Sequence, residues 1–91
     1  MMVARRFLVS GRVQGVGFRW FVLEAASVEN LTGWVRNNPN GDVEIVAEGD
    51  AESMERFERA VRRGPAAARV DEVATDILEA TGRFATFTTR H

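Results

Sequence analysis

The 91-residue chain has no cysteine and no lysine, and its single histidine is the last residue, His91. Without cysteine there is no disulfide framework, no thiolate metal site and no sulfur nucleophile. Such a composition is compatible with a reducing compartment, and a cytoplasmic location is the expectation. A terminal histidine is prone to fraying, so His91 is given no catalytic role. No His, Asp and Glu cluster has metal-ligand spacing. No apolar run approaches the roughly 18–20 residues of a membrane span. The opening Met1-Met2-Val3-Ala4-Arg5-Arg6 lacks the basic-then-apolar order of a signal peptide. Length leaves room for one domain, residues 1–91, and a monomer is the default. A net charge of −1 argues against a dedicated nucleic-acid protein.

Acid is also missing locally. All 12 basic residues are arginine, and four of them, Arg5, Arg6, Arg12 and Arg19, precede the first carboxylate, Glu24. A nearly neutral chain therefore has a cationic end. No Asp or Glu lies within residues 5–23 or 33–41.

Glycine and proline divide the chain into short elements. Residues 5–13 alternate as a strand, with Phe7, Val9 and Val13 against Arg6, Ser10 and Arg12. Residues 14–18 form a glycine-bearing loop. Residues 19–30 read as a helix with Phe21, Ala25 and Val28 inward and Asn30 as a left-handed cap. Residues 33–38 and 42–48 read as strands joined by the turn Pro39-Asn40-Gly41. Asp50 is an N-cap for a helix over about 51–63, with Met54, Phe57 and Val61 inward. Its outer face offers Glu52–Arg56, Glu55–Arg59 and Glu58–Arg62 as i,i+4 pairs. Gly64-Pro65 ends it. Residues 70–78 and 84–88 supply two more strands. The order predicts an α+β, ferredoxin-like βαββαβ sandwich: one antiparallel sheet with two helices on one face.

The informative stretch runs from Gly11 to Arg19, Gly-Arg-Val-Gln-Gly-Val-Gly-Phe-Arg. A strand ends, a Gly-x-Gly loop follows and a helix begins. Backbone N–H groups in such a turn can converge on an anion, the helix N-terminus adds partial positive charge, and Arg19 adds a guanidinium fork. A plain strand-to-helix turn is the competing reading. The loop is neither a Walker A motif nor a dinucleotide fingerprint, whose third glycine position is occupied by Trp20. The second stretch is Gly33-Trp34-Val35-Arg36-Asn37. Alternation puts Asn37 on the Val35 side, and its amide could accept from a water and donate to an oxyanion. Turn chemistry beside Pro39 is the other reading of Asn37 and Asn38. Arginine, amide and backbone donors without a strong base suit phosphoryl transfer from an activated donor, whose carboxylate leaves without help from an acid.

These two motifs, in register with Gly41-x-Val43-Glu44, Gly49 and Gly64-Pro65, resemble the acylphosphatase family over roughly residues 5–88. The resemblance implies hydrolysis of the carboxyl–phosphate bond of small acyl phosphates, with no metal and no cofactor. Carried over by position, Arg19 binds the phosphoryl group together with backbone N–H groups of Gln14, Gly15, Val16, Gly17, Phe18 and Arg19. Asn37 positions the attacking water, and the substrate's own phosphate can take the water's proton. Two departures stand out: Asn30 replaces a common glycine, and the last strand lacks a common tyrosine, which leaves its packing open. The alternative is a non-catalytic phosphate or carbamoyl-phosphate binding module, since similar domains occur inside larger carbamoyl-transfer proteins. An RNA-binding reading needs aromatics on the third strand; residues 42–48 carry none and three acids.

Overall fold

The computed structural model describes all 91 residues. The elements are β1 (Met2–Arg12), α1 (Phe18–Val28), β2 (Thr32–Asn37), β3 (Val43–Asp50), α2 (Ala51–Arg63), β4 (Arg69–Leu78) and β5 (Phe87–Arg90). They build one sheet in the order β4-β1-β3-β2-β5. The first four strands pair antiparallel, and β5 joins β2 in parallel, so the sheet is mixed. This is the expected ferredoxin-like arrangement with one parallel edge strand added.

Register assigns the faces. Val9, Val43 and Asn37 form one row across β1, β3 and β2, and Phe7, Ile45 and Val35 form the next. These rows face the helices. Phe7, Val9, Val35, Val43 and Ile45 are buried together with Phe18, Val22 and Ala26 of α1 and Met54, Phe57 and Val61 of α2. The inward face of α2 and the Asp50 cap agree with the sequence reading; the Asp50 carboxylate accepts from the Glu52 N–H at 3.2 Å.

The inward face of α1 differs from the expected Phe21, Ala25 and Val28. The buried stripe is Phe18, Val22 and Ala26; Ala25 packs against the core only in part, Phe21 is half-buried and Val28 is exposed. The helix is apolar over a wide arc, and periodicity alone could not select the stripe. Its closing residues did so. Asn30 adopts φ 56°, and the Leu31 and Asn30 N–H groups bond to Ala26 and Ser27 carbonyls at 2.9 and 3.2 Å. This Schellman closure turns Leu31 into the core and fixes the roll of the helix.

Of the three surface pairs expected along α2, only Glu58–Arg62 forms. Arg56 bonds instead to both carboxylate oxygens of Glu29 at the end of α1, at 2.9 and 3.1 Å. The single Nε–H of Arg56 is shared between the two oxygens of Glu29, and Glu29 is the less exposed of the two candidate acids, so the inter-helix pair displaces the i,i+4 contact. The fourth strand, β4, is an edge of the sheet and mostly exposed, Ile77 included. The last strand starts later, at Phe87, whose ring lies 6.2 Å from Phe57. That aromatic supplies the packing left open by the missing tyrosine.

The helix-free face carries charge. Arg36, Glu44, Arg6 and Asp76 form a chain across β2, β3, β1 and β4, with contacts of 2.8, 2.7 and 3.0 Å. Strands β4 and β5 lie at opposite edges, so the connection between them must cross the sheet. It is held at the central strand by Glu48, which accepts from the Thr81 N–H, the Thr81 hydroxyl at 2.8 Å and the Gly82 N–H at 2.9 Å. Burial pushes the Glu44 and Glu48 carboxyls up. The guanidiniums of Arg6 and Arg36, and the donors of Gly82 and Thr81, outweigh it, and both titrate below the ordinary 4.5.

A carboxylate with a lowered folded pKa stabilises fully above its unfolded pKa and loses that contribution as pH falls through the folded one. Thermal melts should therefore show a level Tm down to about pH 5 and a progressive fall below it. Glu48→Gln should reduce that acid loss. A Tm that rises on acidification would contradict the assignment.

Candidate active site

Strands β1 and β2 run parallel to each other, with β3 antiparallel between them. Their C-terminal ends therefore meet at one end of the sheet. The loop at 13–17 leaves β1 there, and Asn37 ends β2 beside it.

In the loop, Gly15 and Gly17 have φ of 73° and 79°. This left-handed conformation costs an L-residue roughly 1–2 kcal/mol. Nothing lies within 4 Å of where a Cβ would stand at either position. The open space in front of them is a cleft, and a side chain would fill it. Left-handed residues placed alternately can turn successive N–H groups towards one anion.

The start of α1 is electrostatically bare. Gly17 stands at the N-cap with no side-chain cap, and the first turn contains no acid. Its free N–H groups and positive dipole end are therefore left for something else. The start of α2 is the opposite case, with the Asp50 cap and Glu52 in the first turn.

Arg19, half-buried in that bare first turn, takes part in none of the chain's ion pairs. Arg36, although adjacent to Asn37 in sequence, points to the other face and is held by Glu44. Asn37 is half-buried on the helix side, and its Oδ1 is buried with no hydrogen-bond partner. A buried acceptor without a partner costs about 1–3 kcal/mol. An open acceptor at the end of a strand, beside an unpaired guanidinium, is a place for a polar ligand.

Arg19, Asn37, Gly15, Gly17 and Phe18 line one cleft of about 200 Å³ with Val13 and Trp20. No carboxylate is among them. Gln14 and Val16, expected to contribute through their backbone, do not line it. Val16 packs on the core. A larger hollow of about 560 Å³ shares Asn37 and holds His91, Arg36 and residues 38–40, but none of the loop. Its size does not make it the site, because it lacks the glycine turn, the helix end and the unpaired arginine. No group of three or more His, Cys, Asp or Glu side chains converges to hold a metal ion.

The sequence profile of the acylphosphatase family matches residues 5–89. An acylphosphatase of Koribacter versatilis is 50% identical over 72 residues, which cover 79% of this chain and 66% of that protein. An acylphosphatase of Moorella thermoacetica is 51% identical over 81 residues, 89% of this chain and 87% of its own length. The crystal structure of acylphosphatase from Bacillus subtilis has a TM-score of 0.94 to this chain, at 36% identity and complete coverage of both.

The side chain of Gln14 does something that sequence reasoning missed. Its Nε2 donates to the carbonyls of Asn38 and Asp42 at 2.8 and 3.0 Å. It thereby ties the loop to the hairpin that begins just after Asn37. The residue type was visible, but the partners lie far along the chain and no local pattern marks them. Gln14→Leu keeps most of the volume and removes both donors. It should lower stability by about 1–3 kcal/mol, the sum of two ordinary hydrogen bonds, as read by urea unfolding, and should speed amide exchange at the Asn38 N–H, which bonds to the Asp42 carbonyl at 2.8 Å. Unchanged stability and exchange would remove the clamp.

Proposed function

The chain belongs to the acylphosphatase family, hydrolases of the carboxyl–phosphate anhydride in small acyl phosphates, and we propose that Arg19, Asn37 and the loop carry that reaction here. The observation that carries the reading is the unpartnered Oδ1 of Asn37 in one cleft with the unpaired Arg19.

The phosphoryl oxygens of the substrate sit against the N–H groups of Gly15, Gly17, Phe18 and Arg19, at the loop and the first turn of α1, with Arg19 as the fixed cation. The donors are held by backbone and a helix end, so they need little reorganisation as charge redistributes. Asn37 Oδ1 accepts a hydrogen bond from a water and fixes it in line with phosphorus. The water oxygen forms a bond to phosphorus as the bridging oxygen–phosphorus bond breaks. The bonding pair leaves on the carboxylate, and the water's proton passes to a phosphoryl oxygen. An acyl phosphate dianion and water thus become a carboxylate and dihydrogen phosphate, with charge and atoms conserved. No step requires a base from the protein, which suits a cleft without carboxylates.

All of these groups come from one chain and one end of one sheet, which supports a single-domain monomer. A cytoplasmic setting fits a cysteine-free chain that uses a small, phosphorylated substrate.

The deciding assay is hydrolysis of benzoyl phosphate. Arg19→Ala should lower kcat/KM by on the order of 10³-fold or more, as for other arginines on a transferring phosphoryl group; a loss under tenfold would remove Arg19 from the role. Asn37→Ala should lower kcat roughly 10²–10³-fold, as for a lost oxyanion donor, while calorimetry shows inorganic phosphate still bound with similar affinity. Loss of phosphate binding in that variant would make Asn37 a binding residue instead. Activity should survive EDTA; a loss restored by a divalent ion would overturn the metal-free mechanism. Phosphate binding without turnover in the unaltered chain would leave a binding module in place of an enzyme.

A further inference from the structure

We propose that Trp20 forms the subsite for the acyl group of the substrate and selects for planar, apolar acyl groups. The assignment rests on the reading of the cleft above and names the part of the substrate that the reading leaves without a partner.

The large exposed hydrophobic residues are Met1, Met2, Trp20, Val28, Ile77 and Leu78. Of these only Trp20 lines the cleft of Arg19 and Asn37. Its 67% exposure contrasts with 8% for Trp34, the other tryptophan. Trp34 is covered by the guanidiniums of Arg36 and Arg90, 5.2 and 4.7 Å from its ring centre. The indole of Trp20 takes part in none of the chain's aromatic or cation–π pairs. The position is therefore not explained by packing: a large ring is kept in water at the rim of the site.

Chemistry gives the ring a use. A phosphoryl group held by the loop and Arg19 is surrounded by donors on the protein side. The acyl group, one bridging oxygen away, must then project out of the cleft mouth. Little else there can meet it. Gly15 and Gly17 have no side chains, Val13 and Phe18 are buried at 1% and 2% exposure, and Arg19 and Asn37 are committed to the phosphoryl group and water. No carboxylate and no further polar side chain lines the cleft, so nothing is available to read a charged or hydroxylated acyl chain. What remains is an apolar face, against which an aryl group can stack in the offset geometry favoured by aromatic pairs. An acetyl group is too short to cover it.

The test compares kcat/KM for benzoyl phosphate and acetyl phosphate on the full chain. Trp20→Ala should lower the benzoyl-to-acetyl ratio by about tenfold, the size of one lost aromatic contact with its buried area. Trp20→Phe should keep the ratio within about twofold, because a ring remains. Phenylphosphonate should quench the exposed tryptophan emission in the unaltered chain more than methylphosphonate does, and the difference should vanish in Trp20→Phe. An unchanged ratio in Trp20→Ala overturns the subsite. So does an equal loss on both substrates, which would make Trp20 a support of the loop. If the unaltered chain hydrolyses neither substrate, the reading of the cleft fails and the subsite falls with it; hydrolysis of both with an unaltered ratio removes Trp20 alone.

Discussion

Two parallel strands with an antiparallel strand threaded between them must end at the same edge of a sheet. In this chain that constraint aligns the end of β1 with the end of β2 across Val43, and it is satisfied by side chains that never touch a ligand. Phe7, Val9, Val35, Val43 and Ile45 are fully buried beneath both helices, so a one-residue slip of any strand would turn its apolar row to the open face. The same register that buries Val35 puts Asn37 on the helix side and Arg36 on the other. Core packing thus decides which of two adjacent polar residues reaches the cleft.

The second organising feature is an imbalance of donors over acceptors at that edge. The start of α2 is neutralised locally by Asp50 and Glu52, whereas the start of α1 is left bare. Most of the arginines with defined partners meet an acid or a ring: Arg6 and Arg36 at Glu44, Arg56 at Glu29, Arg62 at Glu58 and Arg63 over Phe21. Arg19 does not. Left-handed glycines add backbone N–H groups with no internal use. Each of these would be a small defect in a purely structural loop, and together they describe the complement of an anion.

Much of this was legible in the sequence because it is local. The glycine turn, the bare helix start, the side of the strand on which Asn37 lies, the Asp50 cap and the inward face of α2 all follow from spacing of a few residues. What was not legible depends on partners far along the chain. Phe21, Ala25 and Val28 formed as good a stripe as Phe18, Val22 and Ala26, and only the closure through Leu31 separated them. Arg56 had a suitable acid one turn away, and Glu29 on the other helix captured it. Glu48 reads as an exposed residue of an alternating strand. It is buried because the crossing from β4 to β5 needs an anchor at Thr81 and Gly82. Gln14 belonged to the recognised motif, yet its side-chain partners, the Asn38 and Asp42 carbonyls, exist only once the hairpin is in place. The parallel pairing of β5 likewise follows from a crossing that no short pattern encodes.

The placement of the acids shapes the candidate site even though none of them lines it. A phosphoryl dianion is repelled by any nearby carboxylate, and in a partly desolvated cleft that repulsion is stronger than in water. The chain has 13 acids, so an empty neighbourhood is not a default. Glu44 is on the strand next to β1, from which the loop departs, but alternation turns it to the open face, where Arg6 and Arg36 hold it at 2.7 and 2.8 Å. Glu48 is held at the far end of the same strand, and Asp50 caps a different helix. Holding these carboxylates on other partners, guanidiniums at Glu44 and neutral donors at Glu48, leaves Arg19 without a competitor for its charge. The guanidinium is then free to meet an anion without first releasing an internal partner, and the same arrangement that stabilises the sheet leaves this end of the cleft open to one.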